Sequence, residues 1–458
     1  MYSTPFTDKI ERRCFSANFF VKGVSMFVLK ENRICLSLAF YALASVWNVV
    51  FSQERTVEMQ IDSAWNAVWT NFYSPQTRLF YDFLESLEPG KTLDHLPTPE
   101  EVDALYPHAC GYGTGMEDCA ISGGVVLDAL IDRYANEEKS GASPETLESI
   151  KVKAQDVFSG LELLTTVSGS PGFVARGVSP KALDKCYINS SRDQVTHLDL
   201  AVWNYWRSPL SDEETRKRAA SILYAIADRM TRNVTPENDY DFLCSDGSHC
   251  RIGISRMADV EDHEAARLTA IYAVAWDVAK RSNDSEKEKE YWARWRNIAQ
   301  DTVAQSAHII DNPSLCNRMP SYAYLQMQES LDVLYQLEPE QELKETISKT
   351  LKFVASRVKS RQKNALKNLK SHDLTQTAPS WREVGGLKGA YRETWYCPRE
   401  CGEIALTIAL DSANGSFDEE SAQVLKEALM TPDYTRITGC GVFHLLGAYE
   451  KARRLGWF

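Results

Sequence analysis

Helical stretches of two chemical kinds alternate along almost the whole chain, and that alternation excludes a fold built around a sheet. The apolar spacing predicts helices over 57–73, 117–136, 144–166, 191–207, 211–232, 262–281, 284–309, 319–337, 339–359, 400–412, 418–430 and 439–455. The segment 211–232 carries nine charged residues in 22 and one apolar stripe. By contrast, LDLAVWNYW, LTAIYAVAWDVA, IALTIAL and GVFHLLGAY are apolar around most of their circumference. A helix apolar on all sides is buried, and one with a single stripe lies outside. Odd helices are therefore outer and even helices inner. Links from inner to outer helices are short (Ser208–Leu210, Ser282–Asn283, Glu338), whereas links from outer to inner are mostly long (74–116, 167–190, 233–261, 360–399). The long loops then gather beside the N-termini of the inner helices. The expectation is an all-α (α/α)6 toroid, a single domain over 53–458, with one elaborated mouth.

Residues 1–52 are read as a leader. From Ile34 to Gln53 there are 20 consecutive uncharged residues, preceded by Lys30, Glu31 and Arg33. A basic flank, an apolar run and small residues near Ser52 predict a secretory signal, so the main domain is expected to be secreted or periplasmic. An uncleaved membrane anchor is the alternative, because the run is long enough to span a bilayer. The chain carries 63 acidic and 51 basic residues, a net charge of −12. Removing the leader's six basic and three acidic residues leaves −15, which argues against a nucleic-acid binder. Nine cysteines remain beyond the leader, an odd number. Cys244/Cys250, Cys110/Cys119 and Cys397/Cys401 are close enough in sequence for local disulfides. Cys397-x3-Cys401 has no second ligand pair, so no metal is expected.

The segments that open the inner helices carry the chemistry: GYGTGMEDC (111–119), YINSSRDQVTH (187–197), RMADVEDHEAAR (256–267), RMPSYAYLQ (318–326) and YRETWYCPRECGE (391–403). Aromatic platforms with paired carboxylates suit sugars, because two carboxyl groups divide the acid and base roles of glycosidic cleavage. Thr114-x-x-Glu117 and Ser191-x-x-Gln194 have the form of capping boxes, which leaves Asp118 as the better catalytic candidate. Asp193 is surrounded by Asn189, Arg192 and His197. Asp259 reads as an N-cap with Asp262 at the third helical position, followed by His263. Glu393, beside Arg392, Trp395 and Tyr396, is read as a loop acid. His444 is read as a satisfied core residue. Arg176, Arg192, Arg256 and Arg392 favour an acidic sugar, since guanidinium pairs bidentately with carboxylate; the competing role for them is to neutralise the mouth's own acids.

The twelve-helix alternation, with GFVARGVSP (172–180) and YINSSRDQVTHLDLAVWNYWRSPL (187–210), resembles the six-hairpin glycosidases. These include the unsaturated glucuronyl and rhamnogalacturonyl hydrolases and glucuronidase-like enzymes. The resemblance implies catalytic acids at the starts of the second and fourth helices, here Asp118 and Asp193, and no cofactor. Where that family commonly has His-Asp at the second helix, this chain has Glu117-Asp118, which leaves ordinary glucuronide hydrolysis open beside hydration of an unsaturated sugar.

The expected function is therefore hydrolysis that releases a terminal glucuronate-type sugar from an acidic oligosaccharide. Asp193 and Asp118 are the expected catalytic acids, with His197 positioning. Asn189, Arg192, Arg176, His263, Arg392, Glu393, Trp395, Tyr396 and Tyr112 are expected to bind substrate. Two alternatives stand beside it. One is a uronate lyase using Tyr187, Asn189, Arg192 and His197. The other is a non-catalytic glycan-binding surface protein, attached to a membrane only through its leader.

Overall fold

The computed structural model describes residues 56–458 apart from 251–253, 316–318, 385–389 and 412–416; the leader lies outside the described residues. Contacts divide the chain after Arg55, and the unit from Thr56 onward is all-α. Its sheet, among the described residues, is one hairpin of β1 (Tyr73–Ser74) and β2 (Leu79–Phe80), antiparallel with Tyr73 opposite Phe80. The helices are α1 (Val57–Ala67), α2 (Pro99–Asp103), α3 (Cys119–Lys139), α4 (Pro144–Thr166), α5 (Arg192–Arg207), α6 (Glu213–Asn233), α7 (Ala266–Arg281) and α8 (Ser285–Asp311). They continue with α9 (Ser321–Leu337), α10 (Gln341–Lys359), α11 (Gln362–Ser371), α12 (Trp381–Val384), α13 (Ala390–Ala409), α14 (Glu419–Met430) and α15 (Gly441–Arg454). None of the helices of the described residues is long and apolar enough to cross a membrane.

The two helix chemistries separate by burial as expected. In α7 every residue from Ala266 to Ala279 is buried. In its neighbour α8 the buried positions are Tyr291, Trp295, Ala299, Thr302, Val303, Ser306 and Ile309, one stripe at the helical period. Each buried large side chain such as Trp203 or Trp295 contributes on the order of 2–3 kcal/mol of transfer free energy. The inner contacts run α3–α5–α7–α9–α13–α15 and return from α15 to α3. The outer helices α4, α6, α8, α10, α14 and α1 pack on α3, α5, α7, α9, α13 and α15 in turn.

Two elements differ from the sequence expectation. Helix α11 lies inside the stretch expected to be a loop. Helix α13 begins at Ala390, ten residues before its expected start at 400, and runs through Pro398. Proline interrupts a helix by removing a donor and crowding the preceding turn. Here Gly441 makes room, since a Cβ at that position would lie 2.7 Å from Pro398 Cγ. Glu393, Trp395 and Tyr396 are consequently helical rather than on a loop.

Candidate active site

Helix starts differ in their caps. Of the outer helices, α1, α4, α6, α8 and α14 are capped by the side chains of Thr56, Ser143, Asp212, Asp284 and Asp418, and α10 is not. The inner helices α3, α5, α7, α9 and α15 have no side-chain cap. Their polar residues bond sideways to one another instead, which brings the inner N-termini together at one end.

Asp118 is the centre of that network. Its Oδ1 accepts from Arg176 Nη2 at 3.1 Å and Gln194 Nε2 at 2.8 Å, and its Oδ2 from Arg399 Nη1 at 2.9 Å. Arg176 Nη1 continues to Ser191 Oγ at 2.9 Å, and Arg399 Nε to Glu403 Oε1 at 2.6 Å. The expected capping boxes do not form. Ser191 and Gln194 serve Arg176 and Asp118, and Glu117 accepts from the backbone N–H groups of Gly113 and Gly115, each at 2.9 Å. Gly115 has φ +88°, and a Cβ there would lie 2.6 Å from His95 Nε2, so glycine is required for this turn.

Asp193 is held differently. Arg267 Nη1 donates to its Oδ1 at 2.5 Å, and Arg267 Nη2 donates to Gln326 Oε1 at 2.6 Å. The arginine side chain is 1% exposed and the carboxylate 32%. Burial raises the Asp193 carboxyl, but Arg267, with Arg192 and Arg176 behind it, outweighs burial and holds it below the ordinary range. Asp193 is therefore an ionised carboxylate with solvent access. Around it stand Tyr322, whose phenol is raised by burial and then by the Asp193 charge, and exposed Tyr112, stacked on the Arg176 guanidinium at 4.4 Å.

A second layer of acids lies beneath. Asp82, fully buried, accepts from the Asp118 backbone N–H at 3.1 Å. Burial and the charges of Glu117 and Asp118 push it well above its ordinary range. Burial and the Asp118 charge push Glu117 up to about 7. Burial takes Glu403 to about 7 as well, against the pull of Arg399. Glu400 is also raised by burial but keeps partial exposure.

His197 does not position Asp193. It is buried, with Nδ1 3.2 Å from Glu329 Oε2, and burial and Arg399 lower it to about 3, so it is neutral. It lines a cavity of about 100 Å³ formed with Asp128, Asn204, Asp332 and Lys451 from the C-terminal halves of the inner helices. Tyr187, the other candidate lyase base, is buried with its hydroxyl donating to the Tyr106 carbonyl. Neither residue is available to take a proton from substrate.

Several other expectations are corrected. Asn189 is buried among thiols, with Cys110 Sγ at 3.3 Å and Cys244 Sγ at 2.6 Å. Arg192 pairs with Glu264 at 2.6 Å, and Arg256 with Asp239 and Asp259. With Arg176 also engaged, these arginines serve the protein's own acids. Asp259 is no cap: its φ is +52° and α7 starts at Ala266. Asp262 instead lies 3.9 Å from His308. His263 lies near Glu261 and Glu264, beside the Arg192 pair. Exposed Glu393 contacts Cys397 at 3.8 Å, and its charge adds to the rise of Glu400. Trp395 donates to Cys440 Sγ at 3.0 Å and stacks with Tyr396 and Arg399. The Arg392 side chain lies outside the described residues. His444 is buried, but both its nitrogens lack hydrogen-bond partners. Cys110, Cys119, Cys244, Cys250, Cys397 and Cys401 are free thiols, so none of the local disulfides forms. Among the described residues no set of His, Cys, Asp or Glu is arranged to hold a metal ion.

Arg267, Gln326, Tyr322, Arg399 and Glu403 all lie in the segments that open the inner helices, but sequence reasoning singled out none of them. Within those segments only the i,i+4 spacing of Arg399 and Glu403 set a pair apart, and that spacing is also the commonest surface ion pair. Compared with protein-family models, curated proteins and solved structures, the chain matches none.

Proposed function

We propose that the chain is a glycoside hydrolase on an (α/α)6 toroid, releasing a terminal glucuronate-type sugar from an acidic oligosaccharide. The observation that carries this reading is Asp193: an ionised, solvent-reached carboxylate fixed by a buried arginine at the end where the inner helices begin. Such a group activates water or attacks the anomeric carbon. Asp118 is a brace, because both its oxygens already accept hydrogen bonds from Arg176, Gln194 and Arg399. The proton for the leaving group comes from an acid that stays protonated near neutral pH. Of the acids that burial raises, Glu117, Glu400 and Glu403, Glu400 is the one that keeps partial exposure; we assign it that role.

An acidic substrate fits the charge count. Below about pH 7, where Glu117 and Glu403 are mostly protonated and Asp82 is raised well above its ordinary range, three guanidinium groups (Arg176, Arg267, Arg399) face the carboxylates of Asp118 and Asp193. The bases expected for the lyase alternative, Tyr187 and His197, are both buried, which favours the hydrolase reading over it. Incubation with a panel of uronate-terminated and neutral oligosaccharides, with products weighed by mass spectrometry, tests the reading. The expected products gain one water per bond broken and carry no ultraviolet-absorbing double bond from elimination. Unsaturated products, or cleavage of neutral chains alone, would overturn it.

A further inference from the structure

Three thiols meet at one point beside the candidate site. Asn189 donates through Nδ2 to Cys110 Sγ at 3.3 Å, while Cys244 donates its S–H to Asn189 Oδ1 at 2.6 Å. Cys250 donates to the Ser190 carbonyl at 3.9 Å and lies close enough to both other thiols to raise them. The two loops that supply them and the loop that carries Asn189 are already joined through the backbone: Asn189 N to Ala109 O at 3.1 Å, Ser245 N to Ile188 O at 2.9 Å, and Arg192 N to Ile254 O at 2.8 Å. Cys119, the partner expected for Cys110, turns instead to the Met116 carbonyl at 3.7 Å.

We propose that Cys110 and Cys250 form an oxidisable pair whose disulfide crosslinks the loop carrying Tyr112 and Glu117 to the loop preceding α7. The choice of pair follows from Asn189. The Cys250 contact and burial raise the Cys110 thiol in the closed loops, while Asn189 Nδ2 donates to its sulfur and the Arg176 charge pulls the other way, so the thiolate forms once the loops open. The Asn189 carbonyl oxygen ties up the Cys244 proton, which holds that residue as a thiol. With glutathione disulfide as oxidant, Cys110 thiolate attacks one of its sulfurs, forming a mixed disulfide and releasing one glutathione. Cys250 then loses its proton, attacks the Cys110 sulfur and releases the second glutathione. The two thiols give up two electrons and two protons, and one glutathione disulfide becomes two glutathione molecules.

Cys110 and Cys250 are buried, and buried thiols react slowly, so the exchange proceeds as these loops open or as the chain folds. Once made, the bond closes a span of 140 residues (250 − 110), long enough to restrict the unfolded chain strongly.

The test uses the full chain incubated with oxidised glutathione just below its melting temperature, then blocked with N-ethylmaleimide, digested without reduction and mapped by mass spectrometry. The expected result is a peptide linking Cys110 to Cys250, with Cys244 carrying maleimide. The oxidised protein should melt higher than the reduced one, and dithiothreitol should reverse the shift. Cys244→Ser should keep the link and Cys250→Ser should lose it. The proposal is overturned if wild-type protein carries maleimide on both Cys110 and Cys250, or if Cys250 is found linked to Cys244. The wild-type map decides even if a variant does not fold.

Discussion

Arg267 grips Asp193 from inside the helical core: the guanidinium is 1% exposed, the carboxylate 32%, and Nη1 meets Oδ1 at 2.5 Å. The charge that fixes the acid is beyond the reach of solvent, so salt screens it little. The same contact holds Asp193 below the ordinary carboxylate range against the effect of burial.

Removing that charge should move a pKa. Arg267→Gln takes away the main force holding Asp193 below the ordinary carboxylate range. The acid limb of the kcat/KM profile should then rise by about one pH unit or more, as for a carboxylate losing an adjacent arginine. An unmoved acid limb in a folded variant would mean that Asp193 is not the group titrating there.

Asp118 should matter more for stability than Asp193 does. Arg176 and Arg399 have 3% and 5% exposed side chains, and both donate to Asp118. Asp118→Asn leaves two buried guanidiniums short of a counter-charge, a loss of about 3–5 kcal/mol. Asp193→Asn leaves only one buried guanidinium, Arg267, short of its counter-charge and should cost less. Urea unfolding of the two variants side by side gives the comparison, and equal midpoints would contradict the brace assigned to Asp118.

The raised acids predict how stability depends on pH. Glu117 titrates at about 7 when folded against 4.5 ordinarily. Between those values the folded state keeps a proton that the unfolded chain has lost. Its stabilising contribution is thus full below about 4.5 and disappears as pH rises through 7. His197 runs the opposite way: lowered to about 3 from 6.5, it costs stability as pH falls below 6.5. Above 6.5 only the acids of this set titrate, so the melting temperature should fall between pH 6.5 and 8.5. The fall should be shallower in Glu117→Gln, which cannot ionise. Identical slopes in variant and wild type would refute the assignment.

The helical frame was legible in the sequence because burial imposes a period. The continuous burial of α7 and the single stripe of α8 are both written in their residues. Helix α11 was not legible, since QKNALKNLKS offers only Ala365, Leu366 and Leu369 to bury besides Gln362. The early start of α13 was hidden by Pro398, which a sequence reading takes as a boundary and which Gly441 accommodates from another helix. At the site, Asp193 stood out as a first-turn acid in a polar cluster. Arg267 did not, because it is 74 residues away (267 − 193) and only the meeting of α5 and α7 makes them partners. Capping boxes misled for a related reason: the inner helices use the same residue types to bond each other.

The most direct test of the account is turnover by Asp193→Asn. Losing the ionised carboxylate while keeping its shape should lower kcat on a uronate-terminated oligosaccharide by on the order of 10²-fold or more, measured below the melting temperature of the variant. A variant that folds and keeps wild-type turnover would contradict the claim that Asp193 carries the chemistry.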